Sequence, residues 1–134
     1  LRRHMKAKQL PPKKRVWLVS GSRDFPDKGL AYAVFKQQFC PGDLVIHGGA
    51  RGVDTWAQEC AEYRACKTDV WLADWDKQGK SAGIRRNRAM LDEAYAQRAR
   101  ALILWDGVSM GTKHMLDLVE RVGMPLTLVR AGYD

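Results

Sequence analysis

Short apolar runs recur along the chain at 16–20, 44–47, 69–72, 101–105 and 126–129, none with a clean alternation of apolar and polar positions. Rich in Val, Ile, Leu and Trp, they read as strands buried on both faces, the pattern of a parallel sheet. Stretches of helical period lie between them, at 28–39, 53–65, 82–98 and 111–122. The last places Met115, Leu116, Val119 and Val122 on one face. The order βαβαβαβαβ, joined by right-handed crossovers, predicts a Rossmann-like doubly wound α/β fold. Its five-stranded parallel sheet is expected in the order 3-2-1-4-5, with helices on both faces. No internal repeat or low-complexity segment interrupts the pattern.

Chemistry concentrates where these strands end. An apolar strand runs into Gly48, Gly49, Ala50, Arg51 and Gly52 and then straight into a helix carrying Asp54. Strand, glycine loop and helix start form an anion cradle, in which bare amides and the positive end of the helix dipole face a ligand, most often a phosphate. Three other strand ends carry similar residues: Gly21, Ser22 and Arg23; Lys80, Arg86 and Asn87; Gly107, Gly111 and Thr112. In an open α/β sheet such loops converge outside the carboxyl ends of the strands, where the strand order reverses. The loop 73–81 is long for a βα connection and holds Trp75, which is placed to stack on a base. Gly79-Lys80-Ser81 resembles the end of a Walker A loop, but the earlier glycine would fall at Asp74, and GxGxxG is missing as well.

Arg23, Arg51, Arg85, Arg86 and Arg88 lie before or within first helical turns, where positive charge is disfavoured by about 0.3–1 kcal/mol each. A ligand phosphate or carboxylate would offset that, as would pairing of two of them with Asp24 and Asp54. Asp54 suits both a first-turn capping role and a hydrogen bond to ribose. The hydroxyls of Ser22 and Thr112 suit phosphate, and Asn87 suits phosphate or base. His47, ending a buried strand, reads as a satisfied core histidine, and His114 has no ligand set beside it. Trp17, Trp71 and Trp105 read as core, and Trp56 as packing.

The formal charge of +8 points to nucleic acid until it is located. Residues 16–134 carry 16 Lys and Arg against 15 Asp and Glu, a net +1. The excess lies in Arg2, Arg3, Lys6, Lys8, Lys13, Lys14 and Arg15. Residues 1–4, ahead of Met5, read as an expression scar, and 5–15 as a basic, extended, mobile arm around Pro11 and Pro12. Residues 16–134 then make one domain. Cys40, Cys60 and Cys66 form no CxxC pair, which indicates neither a disulfide framework nor a zinc site and suggests a reducing, cytoplasmic setting. No apolar run approaches the roughly 20 residues of a membrane span, and no metal or cofactor is implied.

These residues together resemble the SLOG superfamily, in its small YspA-like (YpsA-related) branch of Rossmann-like proteins, over nearly all of 16–129. The pieces are GSRDF at Gly21 to Phe25, GGARGVD at Gly48 to Asp54, GKSAGIRRNRAM at Gly79 to Met90 and GVSMGT at Gly107 to Thr112. The resemblance implies a nucleotide or nucleotide-derived ligand across these loops, and a homodimer. The related LOG phosphoribohydrolases cleave a nucleoside monophosphate into base and ribose phosphate, using a third-helix arginine and a PGGxGTxxE loop. Arg86 or Arg88 matches the arginine and Gly111-Thr112 the GT pair, but the glutamate falls at Met115. Methionine can neither stabilise an oxocarbenium ion nor activate water, so no catalytic residue is assigned.

Three functional readings follow. The first is a nucleotide-ligand sensor or sequestering module. The second is a nucleotide-processing enzyme of the LOG type, in which Asp24, Asp54, Asp74 or Asp106 would have to supply the carboxylate. The third is single-stranded DNA binding through the basic arm, because GGARGVD also resembles the glycine loop of the DNA-processing protein A family. The near-neutral body ranks it last.

Overall fold

A computed structural model describes residues 14–131. Five strands, β1 (Val16–Gly21), β2 (Leu44–His47), β3 (Lys67–Val70), β4 (Arg100–Trp105) and β5 (Leu126–Arg130), form one parallel sheet in the order β3-β2-β1-β4-β5. Helices α1 (Lys28–Gln38) and α2 (Val53–Tyr63) pack on one face, α4 (Ala82–Ala96) and α5 (Met110–Val122) on the other. The fold is therefore the doubly wound α/β arrangement that the strand and helix pattern predicts. A short helix α3 (Trp75–Gln78) and a 3-10 turn (Gly79–Ser81) occupy the long loop after β3. Asp74 caps α3 by accepting the Lys77 amide at 3.2 Å. Among the described residues, no helix is long and apolar enough to cross a membrane.

The central strands explain the lack of alternation. Leu102 and Leu104 point into the α1/α2 layer with Val19 and Val45, whereas Leu18, Ile46 and Ile103 point into the α4/α5 layer. From Ala101 to Leu104, each successive residue of β4 is thus buried on one side or the other, and a buried Leu or Ile truncated to Ala typically costs about 2–5 kcal/mol. The edge strands depart from the expectation of full burial. Lys67 and Val70 of β3 and Thr127, Leu128 and Arg130 of β5 are exposed, because two helices per face cover the centre of the sheet and leave its margins.

β3 also begins two residues earlier than the apolar run suggests. Its register is set by Leu44↔Lys67 through His47↔Val70, and the Lys67 amide already donates to Asp43 O at 2.8 Å. Pairing with β2, rather than hydrophobicity, defines the strand. Trp71 and Leu72 fall beyond it, Trp71 packed against the second core layer and Leu72 74% exposed. The helices α1, α2 and α4 stop one or two residues short of the periodic pattern, α1 where Phe39 turns extended, α2 and α4 where the left-handed residues Ala65 and Arg98 turn the chain.

A polar bolt closes the amino end of the sheet. Asp43 is 1% exposed and accepts hydrogen bonds at 3.0 Å from Arg15 N, Trp17 Nε1 and Cys40 N, with Arg15 Nε 3.7 Å away. Arg15 also donates through Nη2 to Gln38 O at 2.9 Å and lies over the Trp17 ring. It is fixed to the body, which corrects its place in the mobile arm; residues 5–13 of that arm lie outside the described residues.

Candidate functional site

At the opposite, carboxyl end of the sheet, β1 and β4 send their chains to opposite faces, and the gap between them opens into a cleft of about 470 Å³. Its walls are Ser20, Gly21, Arg23 and Asp24 after β1; Ala50 and Asp54 after β2; Trp75, Lys80, Gly83, Ile84, Arg86, Asn87 and Met90 from α3 to α4; and Asp106, Val108, Ser109, Gly111 and Thr112 after β4. Such switch-point crevices are the ligand sites of open α/β sheets, and this volume is ample for a small molecule. Among the described residues there is no group of three or more His, Cys, Asp or Glu able to hold a metal.

The glycine loop after β2 is built differently from an open cradle. The Gly49 amide donates to His47 Nδ1 at 3.0 Å and the Ala50 amide to Asp54 Oδ2 at 3.2 Å, so protein acceptors already hold these donors. His47 Nε2 lies 2.6 Å from Gln58 Oε1, and the tautomer with the proton on Nε2 satisfies both ring nitrogens. His47 is the satisfied core histidine expected. The glycines serve close packing instead. A Cβ on Gly48 would fall on the Arg86 guanidinium, and one on Gly52 would fall on the Arg23 carbonyl. Gly52, the N-cap of α2, has φ 79° and ψ −125°, a conformation that side chains rarely adopt. Gly52→Ala is therefore expected to destabilise the fold by about 1–3 kcal/mol in urea unfolding, through backbone strain before any contact is counted.

Arg86 ties the loops together. Its Nη1 donates to Gly48 O at 2.7 Å and to Trp71 O at 3.1 Å, joining the ends of β2 and β3, and its Nε donates to Asn87 Oδ1 at 3.0 Å. Nη2 has no hydrogen-bond partner among the described residues and remains available to the cleft. Burial lowers the Arg86 pKa, Asp54 raises it and Arg23 lowers it further. Asn87 is fully used, its Nδ2 reaching Gly111 O and His114 Nδ1, both at 3.3 Å. It therefore connects α4 to the start of α5. Burial, then Arg88, holds the His114 pKa below its ordinary value.

The loop after β4 supplies the open anion site. Asp106 Oδ1 accepts the Val108 and Ser109 amides, each at 2.8 Å, and the Ser22 hydroxyl accepts the Asp106 amide at 3.1 Å. Burial raises the Asp106 pKa, but the Ser109 and Val108 amides and Ser22 outweigh it, so the carboxyl sits below its usual range. Ser109 is the N-cap of α5, yet its side chain caps nothing, and the first turn of α5 has no acid. The Ser109 and Thr112 hydroxyls meet at 3.2 Å beside the first-turn amides of Met110, Gly111 and Thr112, which have no acceptor among the described residues. Uncapped amides, two hydroxyls and a helix dipole favour an anion.

The cations and carboxyls of the cleft are mixed. Arg23, Lys80 and Arg86 face Asp24, Asp54 and Asp106. Arg51 lies outside it, in an exposed ion pair with Asp24 at 3.2 Å. Ser22, Gly48, Gly49 and Gly52 support the walls without lining them. Asp54 is 5% exposed; burial raises its pKa, and His47, the Ala50 amide and Arg86 pull it back. Trp75, 49% exposed, stands at the rim with Ile84 and Val108, its ring against Gly83. Ser20, Gly83, Ile84, Met90, Val108 and Ser109 are the lining residues that sequence reasoning did not single out. Their signal is position alone, Ser20 beside Gly21 and Val108 and Ser109 after Gly107. Met115, where the LOG motif has glutamate, is 0% exposed in the apolar core under α5.

Fold and cleft define a Rossmann-like α/β protein with its crevice at the β1/β4 switch point. The chain belongs to the family of the Gene 61 protein of Mycobacterium phage D29, with which it is 34% identical over 119 residues, 81% of this chain and 91% of that protein. No protein-family model matches the chain, and no solved structure matches it.

Proposed function

We propose that this protein binds a nucleotide or a nucleotide-derived phosphorylated ligand in the switch-point cleft, as a sensor or sequestering module of SLOG type. The observation that carries the reading is the uncapped start of α5, with Ser109 and Thr112, opening onto a cleft that also holds Arg23, Lys80 and Arg86. A phosphate seated there would gain helix amides, hydroxyls and charge together. The carboxyls in the same cleft would repel a polyanion but suit the hydroxyls of a sugar. The apolar rim of Trp75, Ile84 and Val108 suits a base. This mixture favours one phosphorylated small molecule over a nucleic-acid backbone.

The test is a thermal-shift screen with nucleoside mono-, di- and triphosphates, NAD and ADP-ribose, on the protein and on Arg23→Ala and Lys80→Ala. Neither side chain makes a hydrogen bond among the described residues, so both variants should melt like the parent without added nucleotide. A nucleotide at 100 times its Kd adds about 2.7 kcal/mol of stability, and a roughly tenfold weaker variant shows about half of that. A flat screen overturns the reading. A second reading, processing of the nucleotide, is favoured by the place of Asp54, a buried carboxyl in the lining of the cleft whose pKa burial raises, the direction that suits proton transfer. Chromatography of any stabilising nucleotide after incubation would reveal its products.

A further inference from the structure

We propose that the buried Oδ1 of Asp54 receives a ribosyl hydroxyl of the phosphorylated ligand, making the site selective for ribose over deoxyribose. The inference rests on the reading of the cleft given above and names the part of the ligand that its buried carboxyl recognises.

Two oxygens of one carboxyl are treated differently here. Oδ2 accepts the Ala50 amide at 3.2 Å, but Oδ1 is buried with no hydrogen-bond partner among the described residues, while the residue lines the cleft. No donor among the described residues comes within hydrogen-bond distance of it. Arg86 makes no ion pair with Asp54 within 4.0 Å, its Nη1 being committed to Gly48 O and Trp71 O and its Nε to Asn87. The Thr55 hydroxyl donates to Ala50 O at 2.9 Å instead. Buried polar atoms are almost always paired, so an orphan at the wall of a cleft is a group awaiting a ligand atom.

The chemistry of that atom follows from the carboxyl's two states. Ionised, Oδ1 needs a donor; protonated, it carries the proton itself, because Oδ2 is occupied, and needs an acceptor. A phosphate oxygen answers only the second state, and an ammonium or ring N–H only the first. A hydroxyl answers both. Burial raises the pKa of this carboxyl, and a hydroxyl pairs with it whichever state it holds. Phosphate and carboxyl need not compete, because Asp54 sits in the first turn of α2 while the uncapped, acid-free helix start belongs to α5. A molecule with phosphate at one helix start and a hydroxyl at the other is a sugar phosphate.

The experiment is calorimetric titration of the full chain with ribose 5-phosphate and the common nucleoside 5′-monophosphates, each beside its 2′-deoxy and, for AMP, 3′-deoxy counterpart. At least one deoxy position should weaken binding by about tenfold or more, since a buried polar group is then left unpaired. Asp54→Ala, which removes the group outright where asparagine would still offer a donor or an acceptor to a hydroxyl, should bring ribo and deoxy compounds to within about threefold of each other while leaving the deoxy affinities nearly unchanged, an outcome that loss of structure would not produce. Should Asp54→Ala fail to fold, the ribo-to-deoxy ratio of the unaltered protein decides alone. Equal binding of ribo and deoxy compounds overturns the inference and leaves the phosphate reading intact. No binding by any of these phosphates overturns both.

Discussion

Arg86→Ala is expected to lower stability by about 3 kcal/mol and to abolish nucleotide stabilisation, measured by urea unfolding and by thermal shift. The side chain holds the Gly48 and Trp71 carbonyls from one nitrogen, at 2.7 and 3.1 Å. Hydrogen bonds from a charged donor contribute about 1.5–3 kcal/mol each, and its removal leaves two carbonyls at the sheet edge without their donor. It also removes a cation that lowers the pKa of the buried Asp54. Arg86→Lys should recover less than half of the loss, because a point ammonium lacks the planar geometry that reaches both carbonyls while Nε holds Asn87. Equal stability of the alanine variant and the parent would show that the β2 and β3 ends are held by their backbone pairing alone.

Asp43→Ala should have a still larger effect on stability and none on the site. Three donors, Arg15 N, Trp17 Nε1 and Cys40 N, converge on a carboxylate that is 1% exposed. Removing the acceptor strands all three and leaves Arg15 without its counter-ion, a change expected to cost about 3–5 kcal/mol. Asp43→Asn keeps one acceptor oxygen and should fall between the two. The residue lies at the amino end of the sheet, so a nucleotide that stabilises the parent should stabilise whatever fraction of Asp43→Ala folds by the same increment. A nucleotide response that vanished with Asp43 would show that the two ends of the sheet are coupled.

The contrast between these two residues shows how much was legible in the chain. Arg86 is visible because it stands in a basic cluster after a glycine, in a place where a helix start disfavours charge. Its work as a carbonyl clamp is not visible, because the Gly48 and Trp71 carbonyls come from elements 38 and 15 residues away. Asp43 carries no local signal at all. It follows a turn glycine, as many aspartates do, and only the packing of β1 against β2 brings Trp17 and Arg15 to it. Asp54 was legible as a first-turn acid, whereas its burial, which gives its second oxygen meaning, came from the closing of Gly48, Ala50 and Arg86 around it.

By itself, the sequence determined the architecture of this protein. Unbroken apolar runs alternating with helical periods admit little but a parallel sheet with helices on both faces, and the glycine and arginine content of the strand ends marks which edge carries the chemistry. Tertiary structure decided which of those residues face the cleft. It spent the Gly49 and Ala50 amides on His47 and Asp54, turned Arg51 outward onto Asp24, buried Met115 in the core, and left the start of α5 open. The physical reason is range. Strand and helix follow from neighbours a few residues apart, whereas the partner of a buried polar group is fixed only when distant segments close on it and exclude water.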